Sequence, residues 1–281
     1  MTRMALNNRS SYIPPRSVCL VANPEKDIAN RELRKLSAAL RKRKIGVRPA
    51  KEFEKSDAVI TLGGDGTILA IAGRAAHAGI PVLGVNMGRL GFMTAIGIKR
   101  VYSILDEWLK GHWPVSERLM LDVQVPRLKR SFLALNDAVL RIGSVTRVTR
   151  ISASIEHEDL GLFTGDGVIV ATPTGSTAYS MSAHGPVVHP EVEALVLTPI
   201  CAHSFSQRPV VFPAGHTLEL RIEDHRKGND VQLCLDGQRV IPLKSGDGVS
   251  VTGADRRLKL FQDPEMNYFG MLREKLSWGV R

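Results

Sequence analysis

The sequence is poor in cysteine, in aromatic residues and in long apolar runs, and each shortage excludes a class of protein. Its three cysteines, Cys19, Cys201 and Cys234, are widely separated and form no C-x-x-C pair, which excludes a disulfide framework and a cysteine metal site. We expect buried free thiols in a reducing cytoplasm. No uncharged apolar segment approaches the roughly 20 residues that cross a bilayer, and residues 1–15 lack the apolar core of a secretory signal. No membrane partner is therefore expected.

Aromatic residues make up 5% of the 281 residues, and they are missing from the densest basic clusters. The formal net charge of +10 favours anionic partners, but it does not choose among nucleic acids, membranes and phosphorylated metabolites. The clusters at 41–44 and 127–130 have structural explanations, one at the end of a predicted helix and one in a predicted hairpin turn. Because neither contains the aromatics that stack on bases, we predict no nucleic-acid partner.

Several common catalytic and nucleotide-binding motifs are also missing. There is no G-x-x-x-x-G-K-[ST] loop and no G-x-G-x-x-G fingerprint, so neither the Walker type of NTPase nor the usual dinucleotide site is supported. Ser176 lies in Gly-Ser-Thr-Ala rather than in G-x-S-x-G, which argues against a hydrolase. His184 and His189 lack the i, i+4 spacing of a zinc-binding helix and are interpreted as structural residues.

What the sequence does have is a glycine-rich turn between a predicted strand, 57–62, and a predicted helix, 67–78. Its glycines allow the backbone to approach a ligand closely, and the start of the helix offers unpaired amides to a phosphate. The predicted phosphate loop consists of Gly63, Gly64, Gly66 and Thr67.

Asp65 is the acidic residue of this loop. A carboxylate does not attract a phosphate, so we interpret Asp65 as a group that takes a proton, orients a hydroxyl or helps to hold a divalent cation. The alternative is a tight strand-to-helix turn in which Asp65 merely caps the helix.

The order of apolar segments predicts the fold. Strands and helices alternate up to about residue 114, which is typical of a Rossmann-like α/β domain with a mostly parallel sheet and a ligand site at the carboxyl ends of the strands. Short strand-like runs parted by turn residues then predict a β-rich, β-sandwich-like domain, and a closing helix follows. We expect a flexible tail over 1–15, a nucleotide-binding α/β domain over 16–114, a β-rich ligand-binding domain over 115–262, and a C-terminal segment, 263–281, that packs back on the first domain.

Two features of the β-rich part are unusual. Residues 164–190 are rich in glycine and hydroxyl side chains, and no charged residue follows Asp166 before Glu191. Such a surface recognises a ligand through amides and hydroxyls, with Tyr179 able to stack on a ring, although a tightly packed turn and helix would look the same. Asn136-Asp137 lies inside the strand-like run 132–142, where these residue types are rare, so the pair marks either a bulge or a site.

These residues resemble the ATP-dependent NAD kinases of bacteria over nearly the whole chain. The matching segments are Gly63-Gly64-Asp65-Gly66-Thr67, Asn86-Met87-Gly88-Arg89-Leu90-Gly91-Phe92, Asn136-Asp137, Gly165-Asp166-Gly167, Thr172-Pro173-Thr174-Gly175-Ser176-Thr177-Ala178-Tyr179-Ser180, Leu197-Thr198-Pro199-Ile200-Cys201 and Asp236-Gly237-Gln238. The first segment alone is shared with lipid kinases and phosphofructokinases, whereas the long Thr-Pro-Thr-Gly-Ser-Thr-Ala-Tyr stretch is specific.

The resemblance implies phosphoryl transfer from ATP to the 2′-hydroxyl of the adenosine ribose of NAD, with Mg²⁺ as the divalent metal and with a homodimer or homotetramer as the assembly. Asp65 would serve the hydroxyl as base or orienter, with Gly66 beside it. Asn136 and Asp137 would hold the adenosine, and Asp166 the nicotinamide end. The remaining implied NAD contacts are Arg147, Thr177, Ala178, Tyr179, Ser180, Met181, Ser182 and Gln238.

One position departs from the family pattern. The family has Asn-Glu where this chain has Asn136-Asp137, and the shorter side chain needs a bridging water or a small backbone shift to reach the same hydroxyls. Two other functions fit the Asp65 loop, a lipid kinase and a nucleotide sensor without catalysis. The polar stretch before Ser182 suits a dinucleotide better than a lipid.

Overall fold

The computed structural model describes residues 12–22, 27–88, 91–143, 148–204, 206–223 and 231–278. Residues 1–11, which belong to the predicted flexible tail, lie outside this set. The chain divides into two compact units, Met1–Glu117 with Leu258–Arg281, and Arg118–Arg257. In the described residues, no helix is both long enough and apolar enough to span a membrane.

The helices and strands are, in chain order, β1 Ser17–Ala22, α1 Asp27–Lys42, β2 Gly46–Arg48, β3 Ala58–Gly63, α2 Asp65–Ala78, β4 Val82–Asn86, β5 Ile96–Gly97, α3 Ile98–Leu109, β6 Val115–Arg118, β7 Leu121–Val125, β8 Arg130–Ala134, β9 Asp137–Ile142, β10 Thr149–Ile155, β11 Glu158–Gly165, β12 Gly167–Ala171, α4 Tyr179–Ser182, β13 Ala194–Ile200, β14 Val210–Pro213, β15 Leu218–Ile222, β16 Val231–Leu235, β17 Arg239–Leu243, β18 Gly248–Gly253, β19 Leu258–Phe261 and α5 Tyr268–Leu276.

The first unit is built on a sheet of order β2-β1-β3-β4-β19-β6, to which β5 adds beside β4. β1 runs parallel to β2 and β3, and β4 runs parallel to β3, β5 and β19. Helix residues such as Leu36, Leu105 and Trp108 are fully buried against strand residues such as Ile60 and Leu83. The predicted α/β domain with a mostly parallel sheet is confirmed.

The helices begin and end where local chemistry favours it. α1 has Arg41 and Lys42 in its last turn, where cations complement the negative end of the helix dipole. α2 ends at Gly79, whose positive φ of 67° lets its amide bond back to the last carbonyls of the helix. Ile28, in contrast, is a large apolar residue of α1 that is 66% exposed.

The first unit takes two strands that the sequence had placed in the β-rich domain. β6 begins at Val115, and the unit continues to Glu117. β19 pairs in parallel with β4 through Leu260 and Val82, so the last strand-like run of the chain returns to the first sheet. β6 in turn lies beside β19 at the edge of this sheet. Both pairings join segments that are distant in sequence, and a short apolar run carries no signal of which sheet it enters. The segment containing α5 groups with the first unit as well.

The second unit consists of two antiparallel sheets that share one apolar core, which confirms the β-sandwich-like prediction. Their strand orders are β11-β10-β15-β18-β7-β8 and β14-β13-β12-β9-β16-β17. Inward residues of both sheets, such as Leu121 and Leu220 from one and Leu140 and Leu197 from the other, belong to the same buried cluster. The predicted run 132–142 is therefore two strands, β8 and β9, in opposite sheets.

Candidate functional site

The glycine loop of the first unit joins the end of β3 directly to the start of α2. Gly63 is the last residue of β3, and a Cβ there would overlap the side chain of Thr67. At Gly64 and Gly66 an added Cβ would meet no atom within 4 Å, so packing does not require glycine at these two positions. Open space beside a loop at a helix N-terminus is what the approach of a phosphate needs.

Asp65 is the first residue of α2, and its carboxylate does not cap the helix. The N-cap is Gly64, which makes no side-chain cap bond. The Asp65 carboxylate instead accepts two backbone hydrogen bonds from the loop after β4, from the Phe92 amide at 2.8 Å and from the Met93 amide at 3.1 Å. Each oxygen takes one of these bonds and keeps further acceptor capacity. The helix-capping alternative is therefore wrong.

The loop that binds Asp65 is itself fixed by polar contacts. Asn86 is buried at the end of β4, and its side-chain oxygen accepts a 2.6 Å bond from the Gly88 amide. The Thr94 hydroxyl accepts a 2.8 Å bond from the Gly91 amide. A Cβ at Gly91 would overlap the Asp65 carboxylate, so glycine is what permits this approach. Arg89 and Leu90, part of the resembling segment, lie outside the described residues.

In the second unit, the Asn136-Asp137 pair lies where the chain passes from β8 in one sheet to β9 in the other. Both residues are buried. The Asn136 side-chain oxygen Oδ1 is buried as well and has no hydrogen-bond partner in the part of the chain that the structure describes. Leaving a buried acceptor unpaired costs about 1–3 kcal/mol, so this atom is suited to accept a bond from a ligand. The strand break between β8 and β9 is residues 135–136, and Asp137 is the first residue of β9, so the pair marks this break rather than the bulge that the sequence left open.

Asp137 is an unusually placed acid. Its burial, together with the nearby charge of Asp236, raises the pKa of Asp137 to about 7. Burial raises the pKa of Asp236 too, but three backbone amides that bond to its carboxylate act in the opposite direction. Those amides belong to Leu135, Asn136 and Asp137, at 2.8, 2.6 and 3.1 Å. Asp236 has the hydrogen bonds that favour a carboxylate, whereas burial and the charge of Asp236 both favour the protonated form of Asp137.

The hydroxyl-rich segment after β12 packs on the outer face of the second sheet, where Ala183 and Val188 contact a buried apolar cluster. Its hydroxyls are largely used internally. The Ser176 hydroxyl donates to the Pro173 carbonyl at 2.7 Å, and the Ser180 and Thr198 hydroxyls lie 2.9 Å apart. The packed-turn interpretation therefore describes this part of the segment well.

The predicted site residues of this segment divide by exposure. Thr177 and Ser180 are buried, and the Thr177 hydroxyl donates to the Thr174 carbonyl at 3.2 Å. Tyr179 is 41% exposed, Ser182 is exposed, and Ala178 and Met181 are half-buried. The side chains available to a ligand are thus those of Tyr179 and Ser182, with Ala178 and Met181 contributing part of their surface.

The other predicted contacts differ in how firmly they are held. Asp166 is exposed, and the Cys201 thiol donates a hydrogen bond to its carboxylate, which raises the pKa of Cys201. Gln238 is exposed, and its backbone amide donates a hydrogen bond to the Leu235 carbonyl at 2.9 Å. Arg147 lies outside the described residues.

Sequence reasoning assigned no role to four residues that support the predicted site residues of their own unit. They are Gly91 and Thr94 in the first unit, and Cys201 and Asp236 in the second. Asp236-Gly237 carries a hairpin-turn signal, but nothing in that signal points to the amides of residues 135–137. In the described residues, no group of three or more His, Cys, Asp or Glu side chains is arranged around a common metal position.

Comparisons with known proteins cover most of the chain. The model of the ATP-NAD kinase N-terminal domain matches residues 25–113, and that of the ATP-NAD kinase C-terminal domain matches residues 135–262. An NAD kinase from Geotalea daltonii is 40% identical over 231 residues, which are 81% of each chain. An NAD kinase from Geobacter sulfurreducens is 42% identical over 231 residues, which are 80% of each chain.

Solved structures are similar over nearly the whole chain. A yeast NADH kinase complexed with NADH superposes with a TM-score of 0.85 at 25% identity, covering 99% of this chain and 94% of its own. An NAD kinase from Archaeoglobus fulgidus in complex with ATP has a TM-score of 0.78 at 23% identity, covering 93% and 98%. The second likeness supports the fold alone.

Proposed function

The chain belongs to the ATP-NAD kinase family, and from this premise we propose how its residues carry out the reaction. It is an NAD kinase: it transfers a phosphoryl group from ATP to the 2′-hydroxyl of the adenosine ribose of NAD, which gives NADP and ADP. The observation that carries this conclusion is the match of both kinase domains, in order, to one chain. A lipid acceptor is not supported, because both matched domains are those of ATP-NAD kinases.

Asp65 is proposed to act on the acceptor hydroxyl. Its carboxylate is fixed by two amide bonds, from Phe92 and Met93, and each oxygen retains a lone pair for a hydroxyl proton. Phosphoryl transfer depends mostly on positioning and on neutralising charge. The geometry therefore supports a role in which the rigidly held Asp65 carboxylate orients the substrate hydroxyl and receives its proton. Gly64, Gly66 and the first amides of α2 would receive phosphate oxygens, with Gly63 and Thr67 packed behind them.

Magnesium fits this donor set as a cation that arrives with ATP. Mg²⁺ is commonly held by one or two carboxylates together with substrate phosphates, rather than by an all-protein cage. In the loop 63–67, Asp65 is the residue with a carboxylate to offer. When bound, the cation would neutralise negative charge on the phosphates.

NAD binding is proposed to use Asn136 and Asp137 for the adenosine and Asp166 for the nicotinamide end. Support comes from the unpaired Oδ1 of Asn136, which is a buried acceptor in need of a donor such as a ribose hydroxyl or an adenine amino group. The remaining proposed contacts are Thr177, Ala178, Tyr179, Ser180, Met181, Ser182 and Gln238, together with Arg147. For Thr177 and Ser180, whose hydroxyls have internal partners, the proposed role is to shape the backbone.

Replacing Tyr179 by alanine tests the aromatic contact. Tyr179 is the aromatic side chain of this segment, and it is exposed enough to stack on a ring. Because such stacking contributes about 0.5–1.5 kcal/mol, we expect Tyr179→Ala to raise the KM for NAD about two- to tenfold. The KM for ATP and the melting temperature should change little, and Tyr179→Phe should retain most of the affinity. An unchanged KM for NAD in Tyr179→Ala would contradict this contact.

The activity itself is tested by incubating the purified protein with ATP, Mg²⁺ and NAD and by quantifying NADP. Formation of 2′-phosphorylated NAD is expected and excludes a sensor without catalysis. Diacylglycerol is the matched control acceptor and should remain unphosphorylated. Phosphorylation of diacylglycerol without NADP formation would contradict the proposed acceptor.

Two further features of the working enzyme, its compartment and its assembly, are proposed from its thiols and its exposed apolar side chains. All three cysteines are free thiols, which suits a reducing cytoplasm. The expected burial holds for Cys19 but is wrong for Cys201, which is exposed, and for Cys234, which is half-buried. The resemblance implies a homodimer or homotetramer, and exposed apolar side chains such as Leu160, Leu162 and Val211 are surfaces that self-association would cover. Light scattering of the purified enzyme measures the assembly.

A further inference from the structure

Asp236 begins the hairpin turn between β16 and β17, and its backbone has a simple structural explanation. Asp236 and Gly237 have φ angles of 51° and 64°, and the Gln238 amide bonds to the Leu235 carbonyl at 2.9 Å. The pairing of Leu235 with Arg239 leaves residues 236–238 in the connection, and its two consecutive positive φ angles suit an Asp-Gly or Asn-Gly sequence. The turn therefore accounts for a short polar residue at 236, but asparagine would satisfy it equally well.

The side chain of Asp236 does something that the turn does not require. Its carboxylate accepts the consecutive amides of Leu135, Asn136 and Asp137, at 2.8, 2.6 and 3.1 Å, and the Asp236 amide donates to the Asp137 carbonyl at 3.0 Å. Four hydrogen bonds thus join the hairpin tip to the strand break. A carboxylate has the acceptor capacity for three amides on two oxygens, whereas an asparagine side chain has one acceptor oxygen.

The same strand break is held from its other side by the hydroxyl-rich segment. The Thr172 hydroxyl donates to the Leu135 carbonyl at 2.6 Å, and the Thr172 amide donates to the Asn136 carbonyl at 2.9 Å. Gly175 lies so close to the Asn136 backbone that a Cβ there would overlap it. The backbone of 135–137 therefore has bonding partners on both sides, while the Asn136 oxygen Oδ1 keeps none among the described residues.

We propose that Asp236 is a positioning residue for NAD: its carboxylate fixes the backbone of 135–137 so that the Asn136 and Asp137 side chains are preorganised to receive the adenosine. This inference rests on the proposed role of those two side chains. Asp236 itself is not assigned a contact with the dinucleotide. A carboxylate is essential to this role because its two oxygens together accept three amide hydrogen bonds. This requirement explains why an acid lies near the buried Asp137 although two like charges repel each other.

Asp236→Asn is the direct test, because asparagine keeps the turn but loses one acceptor. Its amide group would face a backbone N–H, so one of the three bonds is lost and the loop shifts. We expect the KM for NAD to rise about tenfold or more, with the KM for ATP unchanged within about twofold. An unchanged KM for NAD would overturn the proposal.

Asp247→Asn is the matched control. Asp247 is a buried acid of the same unit, its carboxylate accepts the Lys244 amide at 2.8 Å, and it pairs with Arg127. Its loss should lower the melting temperature without altering the KM for NAD. If Asp247→Asn raised the KM for NAD as much as Asp236→Asn does, general destabilisation would explain both results and positioning would be rejected.

A third variant, Asn136→Ala with Asp137→Ala, separates the positioning role from the proposed site. On this background, adding Asp236→Asn should raise the KM for NAD no further, since the side chains that Asp236 positions are gone. A further rise of similar size would show that Asp236 acts on the dinucleotide directly and would overturn positioning. If the double alanine variant has a normal KM for NAD, the proposed role of Asn136 and Asp137 is wrong. If the double alanine variant has a raised KM for NAD and Asp236→Asn has a normal one, only the positioning role of Asp236 is rejected.

Amide hydrogen exchange in the intact wild-type enzyme keeps the proposal testable if Asp236→Asn does not fold. Amides bonded to a fixed carboxylate exchange slowly, so the amides of Leu135, Asn136 and Asp137 should be protected before NAD is added. NAD should add little protection at these three positions. Rapid exchange in the free enzyme that becomes slow only with NAD would mean that the ligand, and not Asp236, orders the loop.

Discussion

Asp65→Asn is expected to lower kcat about 10²- to 10⁴-fold while the protein still folds and binds NAD, because a positioned base contributes a factor of that size. The substitution removes the negative charge and one of the two acceptor oxygens. Both oxygens are engaged in the wild type, one with the Phe92 amide and one with the Met93 amide, so the variant also loses one of these bonds. The remaining oxygen can orient a hydroxyl but takes its proton poorly.

A control for the structural part of this loss lies at the other end of the same strand. Asp57 immediately precedes β3, and one oxygen of its carboxylate accepts the amides of Arg16 and Ser17 at 2.9 and 2.7 Å. Asp57 therefore has the same kind of anchoring role as Asp65, at the amino end of β3 rather than at its carboxyl end. Asp57→Asn should reduce the melting temperature but leave kcat within about threefold of the wild type.

The comparison requires three measurements on both variants: kcat under saturating ATP and NAD, the dissociation constant for NAD, and the melting temperature. A large loss of kcat confined to Asp65→Asn supports its role in the chemical step. Near-normal turnover in Asp65→Asn would remove the carboxylate from the reaction. Equal losses in the two variants would assign the effect to anchoring of β3.

The sequence was sufficient for the parts of this fold that depend on local pattern. Apolar runs such as that before Asn86 predicted the parallel strands, and the glycine turn at 63–67 predicted the strand-to-helix junction. These features are short-range, since a turn, a cap or an apolar stripe is specified by residues within a few positions of one another.

The parts that the sequence left out depend on contacts between distant segments. The return of β19 to the first sheet and the passage of the chain between sheets at residues 135–136 are decided by pairing partners far along the chain. The hydrogen bond that the Asn136 backbone amide donates to the Asp236 carboxylate spans 100 positions in sequence. The resemblance named Asp236 only as part of the segment Asp236-Gly237-Gln238, and no local pattern connects its side chain with residues 135–137.

Asp137→Asn is expected to make the stability of the folded protein less sensitive to pH. In the native state Asp137 has a pKa raised to about 7 from an ordinary value of 3.8, because it is buried and lies near the Asp236 carboxylate. The folded protein therefore binds this proton more tightly than the unfolded chain does. The resulting stabilisation is complete below the unfolded pKa and is lost as the pH rises through about 7.

The size of the effect follows from the shift. Each pKa unit corresponds to about 1.4 kcal/mol, so a shift of this size is worth about 4 kcal/mol between pH 4 and pH 8. Asparagine carries no proton to lose, and the free energy of unfolding of Asp137→Asn should therefore fall less over this range.

Urea-induced unfolding at pH 5 and at pH 8, without nucleotide, measures the difference. Relative to Asp137→Asn, the wild type should lose stability on going from pH 5 to pH 8, and Asn136→Ala should follow the wild type because it leaves the Asp137–Asp236 pair intact. Parallel curves for the wild type and Asp137→Asn would mean that Asp137 is ionised at neutral pH in the folded protein. A buried carboxylate beside a second one would then need a compensating cation, because neither burial nor like charge favours ionisation.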